Sequence, residues 1–249
     1  MAYRFTILAN RFGQIITVLL MLFMWLIVYG ETGSIKGFNI NEMITYIVIG
    51  ELFHVVTDNN ISDKVAHAIK SGHLSSFLVR PMSYLRFAFT AQLGSMSFKI
   101  FFSIFSRLLI VFLFFNKIIF NTDVKYILVI MAILALTFIL KMLLSYLVGL
   151  IAFWATEVSG LYNIIHRLEK ILSGSYFPLA FLPVLFVRIS LLMPFAYFFF
   201  VPAQLYLKKI DLNTGLKGLA VQVVWIFLLY GIIKVVWKRG LKKYEGVGI

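Results

Sequence analysis

The chain has 249 residues, of which 61% are hydrophobic and only 13% charged. A water-soluble domain carries about a quarter of its residues as charges, so the composition excludes an ordinary soluble globule and points to a bilayer. The formal charge of +13, from 23 Lys and Arg against 10 Asp and Glu, fits basic flanks facing anionic lipid. No zinc-finger spacing or basic-aromatic groove motif accompanies it, so a nucleic-acid partner is not expected. Cysteine is absent, which excludes disulfides, thiolate metal sites and thiol nucleophiles.

At roughly 20 residues per crossing, the expected fold is an all-α integral membrane protein with six transmembrane helices in one transmembrane domain, 1–249. That leaves no room for a separate soluble catalytic domain. Residues 1–13 place Arg4 and Arg11 opposite Phe5, Leu8, Ala9 and Phe12, the pattern of a short amphipathic helix at a membrane surface. The first span, 14–30, has no charge and no small-residue cleavage site after it, so it reads as retained. The second, 43–57, is interrupted by Glu51 and His54.

Residues 58–86 form the longest polar stretch. Ser62 is an expected N-cap and Gly72 an expected C′ residue. The short helix between them sets Val65, Ala68 and Ile69 against Lys64, His67 and Lys70. Such a helix is too short to persist alone in water, which implies a partner surface.

The third span, 88–115, contains Lys99 and Arg107, and the fourth, 126–153, contains Lys141. A Lys or Arg at mid-bilayer costs ~2.5–3.5 kcal/mol on insertion scales, so each is expected to face the bundle, a wet cavity or an interface it can reach. In residues 155–175, which either form the fifth span or lie flat on the inner surface, Ser159, Asn163, His166, Lys170 and Ser173 recur at spacings of three and four, opposite Leu161, Ile164, Ile165, Leu168, Ile171 and Leu172. At 100° per residue this is a helix with a polar face and an apolar face. Two uses of the polar faces stay open. Arg107, Asn163, His166 and Lys170 line a translocation path, or Arg107 pairs with Glu157 or Glu169 while Lys99 snorkels.

Residues 176–207 hold Pro178, Pro183, Pro194 and Pro202, so no single straight helix can run through them. Two short apolar pieces hinged near Met193 and Pro194 predict a re-entrant hairpin, tolerated at membrane depth only where protein or a wet cavity covers the backbone. The last span is 218–237. With both termini inside, the basic residues inside are Arg4, Arg11, Lys64, Lys70, Arg80, Arg86, Lys238, Arg239, Lys242 and Lys243. Those outside are Lys36, Lys117, Lys125, Arg188, Lys208, Lys209 and Lys217, a bias of the expected sign.

The string Ile69-Lys70-Ser71-Gly72-His73-Leu74-Ser75-Ser76-Phe77-Leu78-Val79-Arg80-Pro81 resembles the cytoplasmic loop of ABC type-2 transporter permeases. The likeness extends to Ser173-Gly174-Ser175-Tyr176-Phe177-Pro178-Leu179, to Met193-Pro194-Phe195, and to the basic tail Trp237-Lys238-Arg239-Gly240-Leu241-Lys242-Lys243. The resemblance implies the membrane subunit of an ATP-driven exporter in a bacterial cytoplasmic membrane. It also implies a second permease copy or paralogue and a separate ATPase holding ATP and Mg. Carried onto this chain, the ATPase-coupling contact falls on Lys64, Ile69, Lys70, Gly72, Leu74, Arg80 and Pro81. A re-entrant gate falls on Phe177, Pro178, Pro183 and Pro194.

No Gly-x-x-x-x-Gly-Lys-Ser/Thr loop is present, so ATP hydrolysis is assigned to a partner and no cofactor to this chain. An intramembrane enzyme is the competing class. Its acid-base or metal chemistry needs converging ligands, yet His54, His67, His73 and His166 form no His-x-x-x-His or His-Glu pair. A channel or an assembly scaffold is the third class. Composition suggests an amphipathic, lipid-like or peptide cargo.

Overall fold

The computed structural model describes residues 2–30, 33–155 and 159–244. Among these, ten α-helices and one two-stranded hairpin make up the chain. α1 (Ala2–Tyr29) is one continuous helix, so the surface segment and the first span expected separately are joined without a break at Gly13. The antiparallel hairpin β1 (Ser34–Ile35) and β2 (Phe38–Asn39) leads into α2 (Ile40–Thr57). Asn39 and Glu42 form a reciprocal capping box at its start, each side chain accepting from the other residue's backbone N–H at 2.8 Å.

α3 (Ile61–Lys70) follows after three residues, then α4 (Leu74–Leu78) and α5 (Tyr84–Leu113). Helix α3 begins one residue before Ser62, which therefore sits in the first turn rather than capping it. The Ser62 N–H is satisfied instead by the Ser145 hydroxyl of α6, at 3.0 Å. Gly72 ends this segment with φ 78°. α6 (Val124–Leu150) continues through a 3-10 turn to Phe153.

α7 (Ser159–Leu172) is 14 residues long, ~21 Å at 1.5 Å per residue and short of a ~30 Å hydrocarbon core. It closes in a Schellman motif: Ser175 N–H donates to Lys170 C=O at 3.0 Å and Gly174 N–H to Ile171 C=O at 3.2 Å. Gly174 takes φ 76°, a left-handed conformation that favours glycine. α8 (Val184–Leu192), α9 (Phe200–Tyr206) and the long α10 (Leu212–Lys243) complete the chain.

Three helical stretches among the described residues are long and apolar enough to cross a membrane: Ile40–Lys70, Val124–Phe153 and Leu212–Lys243. Ile15–Tyr29 is a shorter apolar stretch. α10 packs along α6, α2 lies against α5 and α6, and α3 folds back across the end of α6. Gly149 permits that last contact, because a Cβ there would come within 2.7 Å of Val65 Cβ and 2.9 Å of Ser62 C=O.

The two ends of the bundle differ. At the α3 end Trp237 gathers Tyr84, Tyr146 and Phe153, with ring centroids 5.9–6.3 Å away. At the β-hairpin end, Lys36 Nζ donates to Phe181 C=O at 2.7 Å and Lys209 pairs with Glu42 at 2.9 Å. There too, Lys208 binds Asp123 at 3.2 Å, and that hydrogen bond holds the Asp123 carboxyl below the usual carboxylate range.

Residues 173–209 run from the middle of the bundle to the hairpin end, back inward and out again. Ser173 C=O accepts from Phe200 N–H at 3.0 Å and Gly174 C=O from the Tyr46 hydroxyl at 2.7 Å. Phe181 then reaches the β-hairpin, where it packs on Phe38 and Trp25. α8 turns back inward, so that Leu192 C=O accepts from Trp225 Nε1 at 2.8 Å. The turn at Met193–Phe199 is buried for most of its length, and α9 returns to Asn121, whose side chain donates to Tyr206 C=O at 2.8 Å.

Candidate functional site

Four helices contribute charged or polar side chains to one connected belt inside the bundle. α5 supplies Arg107 and α2 supplies Glu51; their ion pair spans 3.6 Å. His54 lies one turn on from Glu51, on the same face of α2 at spacing i, i+3. Its ring meets that of His166 on α7, with centroids 6.2 Å apart. His166 also lies over Tyr162 in a parallel stack at 5.9 Å, and its Nδ1 is 3.7 Å from Glu169. Glu169 in turn binds Lys141 of α6 at 2.8 Å. The belt thus runs α5–α2–α7–α6.

Its members are half-buried to buried, and Arg107 and Lys141 are only 7% and 6% exposed. Each of the two cations has a carboxylate, so each ion pair is neutral within itself. Such pairs hold because each removes a lone buried charge, not because burial itself is favourable. A cleft of about 30 Å3 opens beside them, lined by Lys141, Ser145, Tyr162, His166, Glu169 and Phe195 among others. It has room for a water-sized guest.

Among the described residues, Arg107 has a carboxylate partner on α2. Its carboxylate is Glu51, not Glu169, because α5 packs against α2 while Glu169 is engaged by Lys141. Glu157 lies outside the described residues, as do the side chains of Lys99 and Ser159. Of the four residues expected on a path, Arg107 and His166 belong to the belt. Lys170 is half-buried on the same helix face, and Asn163 is exposed. Sequence reasoning missed Glu51 as a partner and the Lys141–Glu169 pair. The signal available was Glu51, a carboxylate in the apolar middle of α2, and the polar spacing Thr137, Lys141, Ser145.

The segment expected to couple to a partner divides sharply. Ile69 and Leu74 are 5% and 0% exposed and pack with Val65, Ala68, Tyr84 and Leu140 in the chain's own core. Lys64, Lys70, Arg80 and Pro81 are exposed, and Gly72 is intermediate. Lys64 reaches Gln92 on α5 at 3.5 Å, and the Arg80 guanidinium lies 4.4 Å above the Phe77 ring. The apolar half of α3 is therefore an anchor, and its basic half a presented surface.

The proline-rich segment is tied down backbone group by backbone group. Tyr197 C=O accepts from the Thr137 hydroxyl at 3.0 Å, and Gln222 Nε2 donates to that hydroxyl at 2.8 Å. The Tyr197 hydroxyl donates to Leu191 C=O at 2.7 Å. Pro178 and Pro194 are buried and precede 3-10 turns, Pro183 is exposed at the start of α8, and Phe177 is half-buried. Phe199, at the turn, packs edge-on to Tyr46 at 5.2 Å, and its ring closes on Gly50 of α2.

A charge-paired belt, a half-basic helix folded against one end of the bundle and a proline-broken segment at the other fit a transport subunit better than a catalytic one. A family profile described as ABC-2 family transporter protein matches residues 15–248. The chain belongs to the ABC-2 transporter family. No curated protein and no solved structure gave a match. Members of the ABC-2 family are multi-pass integral membrane components of ABC transporters, which work with an ATPase partner and are generally not catalytic themselves.

Proposed function

We propose that this chain is the membrane subunit of an ATP-driven exporter, moving an amphipathic, lipid-like or peptide substrate out of a bacterial cytoplasm. A separate ATPase, which holds ATP and Mg, docks at the α3 end, and a second permease copy or paralogue completes the path. Both termini are cytosolic and six segments cross. The fifth crossing is made jointly by α7 and the extended residues after it, because α7 alone is too short. α8 and α9 form a re-entrant hairpin on the outer side. The single observation that carries the reading is the family match over 15–248, joined to a half-basic α3 wedged against α6.

In the cycle, ATP binding closes the partner ATPases, and that motion enters through the exposed basic side of α3 and α4. Lys64, Lys70 and Pro81 make the contact, Arg80 flanks it, Gly72 gives the turn, and Ile69 and Leu74 carry the motion into α6. The belt is the element with two discrete arrangements. Pairing of Arg107 with Glu51 and of Lys141 with Glu169 is the closed arrangement; exchange of partners as α7 shifts admits cargo past Asn163, His166 and Lys170. Such switching between packings, rather than continuous flexing, is how small motions are amplified. Phe177, Pro178, Pro183 and Pro194 hold the hairpin as an outer gate.

Charge reversal at Lys70, which is exposed, leaves the fold intact and acts only on docking. In proteoliposomes holding the permease and its ATPase, Lys70→Glu is expected to cut substrate moved per ATP hydrolysed by several-fold, with circular dichroism unchanged. Wild-type coupling in that variant would exclude the α3 surface as the docking site.

A further inference from the structure

Beside the aromatic cluster at the α3 end lies a second cavity, a groove of about 420 Å3 between the start of α5, the end of α6 and α10. The size is that of a site for a small amphiphile. Its lining is aromatic, with Phe77, Tyr84, Tyr146, Tyr230 and Trp237. Two cations line it from different elements, Arg80 from the turn before α5 and Lys234 from α10, each held over a ring. Arg80 lies 4.4 Å above Phe77, and Lys234 Nζ lies 4.5 Å above Tyr230. Neither has a carboxylate partner among the described residues.

Position along α10 fixes the depth. Lys234 is the first charged residue after Lys217, and one turn later Trp237 begins the run Lys238, Arg239, Lys242 and Lys243. The groove therefore sits where an apolar span gives way to basic flank, the level at which indole and phenol rings and snorkelling cations meet lipid headgroups. Two cations with no carboxylate partner among the described residues, set beside an aromatic trough at that level, match an amphiphile with an anionic head and an acyl tail. Basic pockets between membrane helices on the cytoplasmic side select such lipids.

We propose that this groove binds one anionic phospholipid of the leaflet at the α3 end, its phosphate between Arg80 and Lys234 and a chain along Tyr84 and Trp237. The bound lipid bridges the α4–α5 turn to α10, and so stiffens the segment that leads into α3. The inference borrows from the proposed function only the choice of leaflet; binding itself needs no ATPase and no transport.

The test uses the full chain in mixed micelles of phosphatidylcholine doped with dibrominated phosphatidylglycerol. Trp25, Trp154 and Trp225 are replaced by Phe, so that Trp237 alone reports contact with bromine. Two cations within reach of the headgroup predict half-maximal quenching at a lipid fraction on the order of tenfold lower for phosphatidylglycerol than for dibrominated phosphatidylcholine. R80Q/K234Q is expected to abolish that preference, and R80K/K234R to keep it. Native mass spectrometry of the unaltered chain, offered equal amounts of the two lipids, reads the same preference without the tryptophan changes. Equal quenching by both lipids, or a preference that survives R80Q/K234Q, overturns the proposal. So does loss of the signal on adding glycerol phosphate at low concentration, which would assign the site to a soluble phosphate compound.

Discussion

Lys141→Met is expected to be among the most destabilising single substitutions in this chain. The ammonium is 6% exposed and lies 2.8 Å from Glu169, so its removal strands a carboxylate inside the bundle. Breaking a buried ion pair from one side costs about 3–5 kcal/mol, or roughly 10 °C in the melting temperature of a protein this size. Lys141→Met/Glu169→Leu is expected to recover most of that loss, since replacing both charges with apolar groups of similar volume is often neutral. Thermal melts of the two variants in one detergent, read by the monodisperse fraction that survives heating, decide it. If the double variant melts as low as the single one, the residues do not act as a pair. The double variant also separates stability from transport: a well-folded protein that no longer moves cargo marks the belt as a switch, whereas full transport marks it as a structural tie.

The second large effect is expected at Gly50. A Cβ there has no room, because the Phe199 ring at the inner turn of the proline-rich segment already fills the space. Gly50→Leu forces Phe199 off its contact with Tyr46 and displaces the turn. Overpacking of this kind costs ~1–3 kcal/mol, and Phe199→Ala, which empties a packed site, costs ~3–5 kcal/mol. The combination Gly50→Leu/Phe199→Ala is expected to be less damaging than the sum, by a coupling of about 1 kcal/mol or more. Additive losses would show that the two residues do not share the space. In reconstituted vesicles, Gly50→Leu is further expected to leak a small solute when the proline-rich segment is the outer gate.

Several parts of this arrangement are written plainly in the residues. The prolines at 178, 183, 194 and 202 state that no straight helix can pass, and Gly72 and Gly174 mark the turns where α3 and α7 end. The polar stripe on α7 announces a helix with two faces. What could not be read is which charge meets which. Arg107–Glu51 and Lys141–Glu169 join residues on helices far apart in sequence, and the choice is made by how the helices pack, not by spacing. Leu74 illustrates the same limit. It sits inside a string that resembles a docking loop, yet its side chain is fully enclosed by the chain's own core, because a short helix is anchored by its apolar face. Gly50 and Gly149 are each one glycine in an apolar run; only the three-dimensional neighbours, Phe199 and Val65, reveal why a side chain is excluded. Nor did the spacing of hydrophobic blocks reveal that α1 runs unbroken from Ala2.

The central claim is that a nucleotide hydrolase drives this membrane subunit through its α3 end. The chain has no cysteine, so single cysteines can be placed at will. Lys70→Cys at the α3 end and Lys209→Cys at the β-hairpin end should be compared in intact cells, each treated with a thiol cross-linker that crosses the membrane. The account predicts a cross-linked product from position 70 that contains an ATP-hydrolysing subunit, formed in altered yield when nucleotide is trapped, and none from position 209. Cross-linking of that subunit from position 209, or from neither position, would contradict it.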